Sequence, residues 1–93
     1  MAYNGRKLQK CEHADQITIK NPNPKKCLKC VDLGDEWVNL RTCLICGDIG
    51  CCGSSKNKHA QKHYEETGHS VFHITESGAK IAYCYLEDNY FKF

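Results

Sequence analysis

Two Cys-x-x-Cys pairs, Cys27 with Cys30 and Cys43 with Cys46, precede His59, His63 and His69, and this ordered series constrains the fold more than any other feature. The two-residue spacing lets one tight turn aim two sulfurs at a single tetrahedral ion. His59 and His63 stand four residues apart, so on a helix their imidazoles share a face. The chain has 93 residues with 8 cysteines and 5 histidines, and its 41% apolar content counts those cysteines. The core is therefore thin, and a domain of this size needs disulfides or a metal to hold it.

A disulfide framework asks for an oxidising compartment. Residues 1–10 carry basic and amide side chains and no apolar run, so a reducing, cytoplasmic setting is expected. No run of 18 apolar residues reads as a membrane span. A thioredoxin-like redox pair would have no use for the three downstream histidines. Zinc is the ion that mixed thiolate and imidazole ligands select.

The stretch around Asn57–His69 reads as a short helix, with Ser54, Ser55 or Asn57 as N-cap candidates and Gly68 as its stop. Residues 36–42 alternate, placing Trp37, Asn39 and Arg41 opposite Val38, Leu40 and Thr42. Residues 70–74 and 80–85 read as further strands, joined by a turn at 76–79, and the Pro-containing stretch 21–24 reads as a loop. The expected fold class is α+β, a small zinc-laced antiparallel sheet with one main helix. Residues 1–10 are read as a flexible N-terminal segment and 11–93 as one domain.

Cys43, Cys46, His59 and His63 also match the ligand spacing of the two-Cys, two-His DNA-binding finger. That finger needs apolar residues in its spacer, where this chain has Gly50 and Lys56, and it leaves Cys27, Cys30, Cys51, Cys52 and His69 without roles. The formal charge of +2 argues for no nucleic-acid footprint. A metalloprotease helix would carry a glutamate directly after its first histidine, where Ala60 stands. Ligands in surplus point to closed structural sites, so no enzyme is expected.

Taken in order, Cys11-x-His13, Cys27-x2-Cys30, Cys43-x2-Cys46-Gly47, the Cys51/Cys52 pair, His59-x3-His63-x5-His69 and Cys84-Tyr85 resemble the zinc finger of the ubiquitin-specific-protease type. The resemblance runs from Cys11 to about Tyr90. It implies cross-braced zinc sites: Cys27, Cys30, one of Cys51 and Cys52, and His59 on one ion, with Cys43, Cys46, His63 and His69 on another. The family's third site, where present, pairs Cys11 and His13 with two cysteines near the C-terminus, but Glu87 stands where the second is expected. Moving Cys52 to that ion, beside Cys11, His13 and Cys84, gives three zincs with four ligands each. The alternative leaves Cys52 a buried free thiol, with Glu87 or water completing the site, or two ions in all. Three ions and eight thiolates would cancel the formal charge. His73 is left over as a strand residue.

Those members of the family that bind ubiquitin recognise its free Gly-Gly tail in an aromatic-walled slot with an arginine on the carboxylate, whereas small free-standing members lacking the arginine resemble interaction modules whose ligand need not be ubiquitin. By resemblance, Tyr85 and Tyr90 match the family's tyrosines, and Tyr83 stands at a tryptophan position. Ser54 or a neighbour replaces the arginine, with Arg41 or Lys80 as candidates to substitute. The implied role is a monomeric protein-interaction module for a protein or peptide C-terminus, ubiquitin's among them, with Trp37, Arg41, Tyr83, Tyr85 and Tyr90 as peptide-binding candidates. The alternatives are an accessory subunit of a larger enzyme with another ligand, and a nucleic-acid-binding finger.

Overall fold

A computed structural model describes residues 2–3, 5–9 and 12–93. In chain order the elements are β1 (Ala2–Tyr3), β2 (Arg6–Lys7), a 3-10 turn (Glu12–Gln16), α1 (Leu28–Leu33), β3 (Leu40–Cys43), β4 (Ile49–Cys51), α2 (His59–Thr67), β5 (Val71–Ile74), a second 3-10 turn (Thr75–Ser77), β6 (Ile81–Cys84) and β7 (Asn89–Lys92). Strands β4-β3-β5-β6-β7 form one antiparallel sheet in that order. The expected class, a small antiparallel sheet with one main helix, is the observed one. Within the segment read as flexible, β1 and β2 pair with each other, and the Gln9 N–H donates to the Tyr90 carbonyl at 2.7 Å.

Register decides what each face of the sheet carries. Val71 opposes Cys84 and Ala82 opposes Phe91, so these four share a face, and Ile17 and Leu44 pack on them. Cys43 opposes Phe72 on the other face, where Ala60 of α2 covers them. With both faces covered, every residue of β5 is buried, and no alternation survives in its sequence. Gly50 permits the close approach of α2: a Cβ there would sit 2.6 Å from the Ala60 nitrogen.

A third cluster consists of Cys27, Cys30, Leu40 and Cys51, with Trp37 and Ile49 packed against it. Cysteines therefore supply much of what is buried. None of the three clusters is large enough to resemble the core of a metal-free domain.

Gly68 ends α2 as expected, in the left-handed conformation with φ 79° and its N–H on the Tyr64 carbonyl. The N-terminus departs from expectation. Lys58 is the capping residue, itself left-handed at φ 50°, and among the described residues no side chain caps the helix. The expected caps are engaged elsewhere. Ser55 Oγ accepts the Val38 N–H at 2.9 Å, and the Asn57 amide donates to Asp35 and to the Cys30 sulfur. The Val38 bond also explains why β3 starts at Leu40 rather than at residue 36, because it holds that stretch out of the ladder.

Candidate metal centres and an aromatic face

Cys27 caps α1 and Cys30 lies in its first turn, so a six-residue helix presents both sulfurs to the same point. Cys51 reaches that point from the end of β4, and His59 from the first position of α2. The His59 Nδ1 lies 3.3, 3.4 and 3.5 Å from the sulfurs of Cys27, Cys30 and Cys51, and the Cys30 and Cys51 sulfurs are 3.7 Å apart. Tetrahedral zinc with ordinary bond lengths spaces two sulfurs by about 3.8 Å and a sulfur and a nitrogen by about 3.6 Å. The four groups thus fit the ion, and all four are buried. Donors suit thiolates here, since the His59 N–H points at the Cys51 sulfur at 3.2 Å and the Asn57 amide at Cys30 at 3.6 Å. Burial holds the His59 imidazole below its ordinary pKa, which favours the neutral form that ligates.

The second group takes Cys43 from the end of β3, Cys46 from the turn after it, His63 from α2 and His69 from just beyond Gly68. Cys43 Sγ lies 3.6 Å from His69 Nδ1, and Cys46 Sγ lies 3.4 Å from His63 Nε2. The other nitrogen of His63 is 3.3 Å from the Asp48 carboxylate. That contact orients the ring and keeps Nε2 free of its proton for a metal. One turn of α2 therefore serves two centres, His59 at one and His63 at the other. Here lies the physical reason the simple finger spacing misleads.

A third group joins His13, Cys84 and Glu87. The His13 Nδ1 is 3.1 Å from the Glu87 carboxylate and 3.8 Å from the Cys84 sulfur, and the Glu12 N–H also donates to Glu87. Cys11, expected here, lies outside the described residues. The expectation that Cys52 joins this group is corrected. Cys52 follows β4, while Cys84 lies on β6, with β3 and β5 between them, a separation of about 14 Å at the usual strand spacing. The Cys52 N–H donates to Asn39, and its sulfur rests 3.5 Å from Ser55 Oγ, buried. Glu87, not Cys52, stands beside His13 and Cys84. His73 sits in β5 with a ring nitrogen 2.9 Å from the Ala79 carbonyl, outside all three groups.

On the α2 side of the sheet the rings adjoin one another. Tyr64 stacks on Tyr85 at 5.3 Å, Phe72 and Tyr83 meet Tyr85 edge-on at 5.2 and 5.0 Å, and Tyr90 lies 5.1 Å from Tyr83. The Tyr83 hydroxyl donates to Asp88 at 2.5 Å; burial, then this carboxylate, pushes its pKa up. Tyr64 and Phe72 were missed as neighbours of the candidate tyrosines. Their signal was the helical face that also carries Ala60 and the strand that follows His69.

Arg41 lies on the same face of the sheet as Phe72, Tyr83 and Tyr90. Burial raises the Tyr85 hydroxyl, and the Arg41 charge draws it partly back. Burial likewise raises the Cys52 thiol, but hydrogen bonds at Ser55, Ser54 and Asn39, with the Arg41 charge, outweigh it and leave it lowered. The guanidinium thus acts on both Cys52 and Tyr85. Trp37 stands apart from the tyrosines, packed on the first cysteine group and lining an open groove of about 510 Å³ with Asp35, Glu36 and Val38. Lys80 lines a different groove, with Asn21, Pro22 and His73.

A family model described as the Zn-finger in ubiquitin-hydrolases and other protein matches residues 25–93. Human ubiquitin carboxyl-terminal hydrolase 5 is 35% identical over 95% of this chain and 11% of its own length. Ubiquitin carboxyl-terminal hydrolase 44 of Ailuropoda melanoleuca is 32% identical over 89% of the chain and 12% of its own length. Human BRCA1-associated protein is 47% identical over 55% of the chain and 8% of its own length. The chain thus spans about a tenth of the curated relatives it matches. A solution NMR structure of protein RPA1320 from Rhodopseudomonas palustris superposes with a TM-score of 0.80 at 32% identity, covering 92% of this chain and 84% of that one.

Proposed function

This chain belongs to the family of zinc fingers found in ubiquitin hydrolases and other proteins, and from that membership we propose a non-catalytic module that grips the C-terminal tail of a protein partner, ubiquitin among the candidates. It is a zinc-binding module. We assign one zinc to Cys27, Cys30, Cys51 and His59 and a second to Cys43, Cys46, His63 and His69, each with four protein ligands and so no position for a reacting water. The zinc supplies structure: it neutralises buried thiolates and pins loops.

A third zinc at His13, Cys84 and Glu87 is supported by their mutual distances. Native mass spectrometry counts the ions. Three per chain are expected, falling to two in Glu87→Ala, and two in the unaltered protein would overturn the third site. The domain is taken as 11–93, although the family match starts at 25, because Ile17 is part of the core and His13 meets Cys84. A reducing, cytoplasmic setting is proposed with it, one in which the thiols stay available to zinc.

The observation that carries the tail reading is the run of half-buried rings Tyr64, Tyr85, Tyr83 and Tyr90 on the face of the sheet that also carries Arg41. Flat rings accommodate an extended glycine backbone, and a guanidinium fork matches a carboxylate. Amide-resolved NMR titration of the zinc-loaded protein with ubiquitin tests it. Shifts at Tyr83, Tyr85 and Tyr90 are expected, and they should vanish with ubiquitin lacking its last two glycines. No shifts at high ubiquitin concentration would reject ubiquitin as the ligand.

A further inference from the structure

The Arg41 guanidinium is already holding a carboxylate. Its two terminal nitrogens lie 2.5 and 2.8 Å from the two oxygens of Glu76, a fork-to-fork pair, and Nη1 also donates to the Leu40 carbonyl at 3.1 Å. Register produces the pairing, because Arg41 opposes Ile74 across β3 and β5 and the 3-10 turn that follows brings Glu76 back over it. A free C-terminal carboxylate has the same shape and charge as the Glu76 side chain and suits the same end-on pair of N–H groups. It cannot take them while Glu76 does.

The turn does not depend on that contact. Ser77 Oγ donates to the Ile74 carbonyl at 2.7 Å and accepts the Ala79 N–H at 3.2 Å, and Gly78 closes the turn at φ 68°. The Glu76 carboxylate can therefore swing into water while its backbone stays. Arg41 is anchored more firmly: its side chain is 15% exposed against 30% for Glu76. The fixed partner is the guanidinium and the movable one is the carboxylate.

We infer that Arg41 is the group that receives the partner's terminal carboxylate, and that Glu76 is a built-in competitor which the arriving tail must displace. This rests on the tail-binding reading above and adds to it a residue that sets affinity and demands a free acid. When the competent form is only a fraction of the free protein, apparent affinity falls by that fraction. Removing the competitor should therefore tighten binding by about three- to tenfold. An amidated tail lacks the charge needed to displace Glu76 and should gain nothing.

The test titrates the zinc-loaded protein with a peptide ending in Gly-Gly as the free acid and with the same peptide amidated, by calorimetry. Glu76→Gln should bind the free acid about three- to tenfold more tightly than the unaltered protein and the amide no better. Arg41→Lys should lose most of the preference for the acid. Zinc content and the amide spectrum establish that each variant folds, and Glu76→Ser stands in if the first does not. In the unaltered protein the Arg41 Nε–H resonance should also move when the free acid is added. Equal or weaker acid binding by Glu76→Gln overturns the competitor, since Glu76 would then be orienting Arg41. Tightening that is the same for acid and amide overturns it as well. If neither the unaltered protein nor Glu76→Gln binds the free acid, the tail reading itself fails and the competitor goes with it.

Discussion

A step of one residue along a strand turns the side chain to the other face, and Cys51 and Cys52 are separated by that step. Cys51 meets three other ligands, whereas Cys52 meets Ser55 and the charge of Arg41. Substitution should separate them sharply. Cys51→Ser is expected to lose a zinc and about 4 kcal/mol of stability or more. Cys52→Ser should keep every zinc and lose about 1 kcal/mol. Zinc content and thermal unfolding report both, and loss of zinc from Cys52→Ser would make that residue a ligand after all. Spacing in the sequence shows that one of the pair is needed but not which, because register is a property of the paired strands. The same limit explains Cys52 at the third group. A count of ligands carries no distances, and two intervening strands decide the matter.

The elements were legible where one periodicity ruled and obscure where metal binding overrode it. Helix α2 and strands β5 and β6 follow from the pattern, and Gly68 from the left-handed stop a helix needs. Helix α1 has six residues, with Leu28, Val31 and Leu33 exposed. Nothing amphipathic announces it, and it is placed by its two cysteines. Ser55 and Asn57 do not cap α2 because they serve the loop around the first metal group. In the finger pattern Gly50 is a gap where an apolar residue is wanted, whereas its role is to let α2 lie on β4. Gly50→Ala should push the first turn of the helix away. The expected loss is about 1–3 kcal/mol, with weaker zinc retention at both groups, since His59 and His63 ride on the same helix. Chelator challenge followed by zinc release measures this. Retention equal to that of the unaltered protein would mean that the helix accommodates the methyl group without moving its ligands.

Across the whole molecule the ions and the protons compete for the same sites. Without metal, burial pushes the Cys43 thiol from 9.0 up to about 11 and pushes the His59 and His63 imidazoles down. The raised thiol gives stability that is complete below pH 9.0 and is lost as pH rises through about 11. The lowered imidazoles give stability that is complete above 6.5 and is lost as pH falls through their folded values. The metal-free chain is therefore squeezed from both sides. Zinc reverses the thiol's part of this balance, because it binds the thiolate and releases the proton, so its contribution grows with pH and is lost in acid. Thermal unfolding with and without a strong chelator should show the widest gap in Tm at about pH 8 and a gap closing toward about pH 5. Chelated protein should also lose stability between about pH 9 and pH 11. Three small buried clusters, with cysteines prominent among them, leave little to hold the sheet once the ions are gone. Equal Tm values with and without chelator at about pH 8 would mean that the apolar contacts of Phe72, Val71, Leu44 and Phe91 suffice alone.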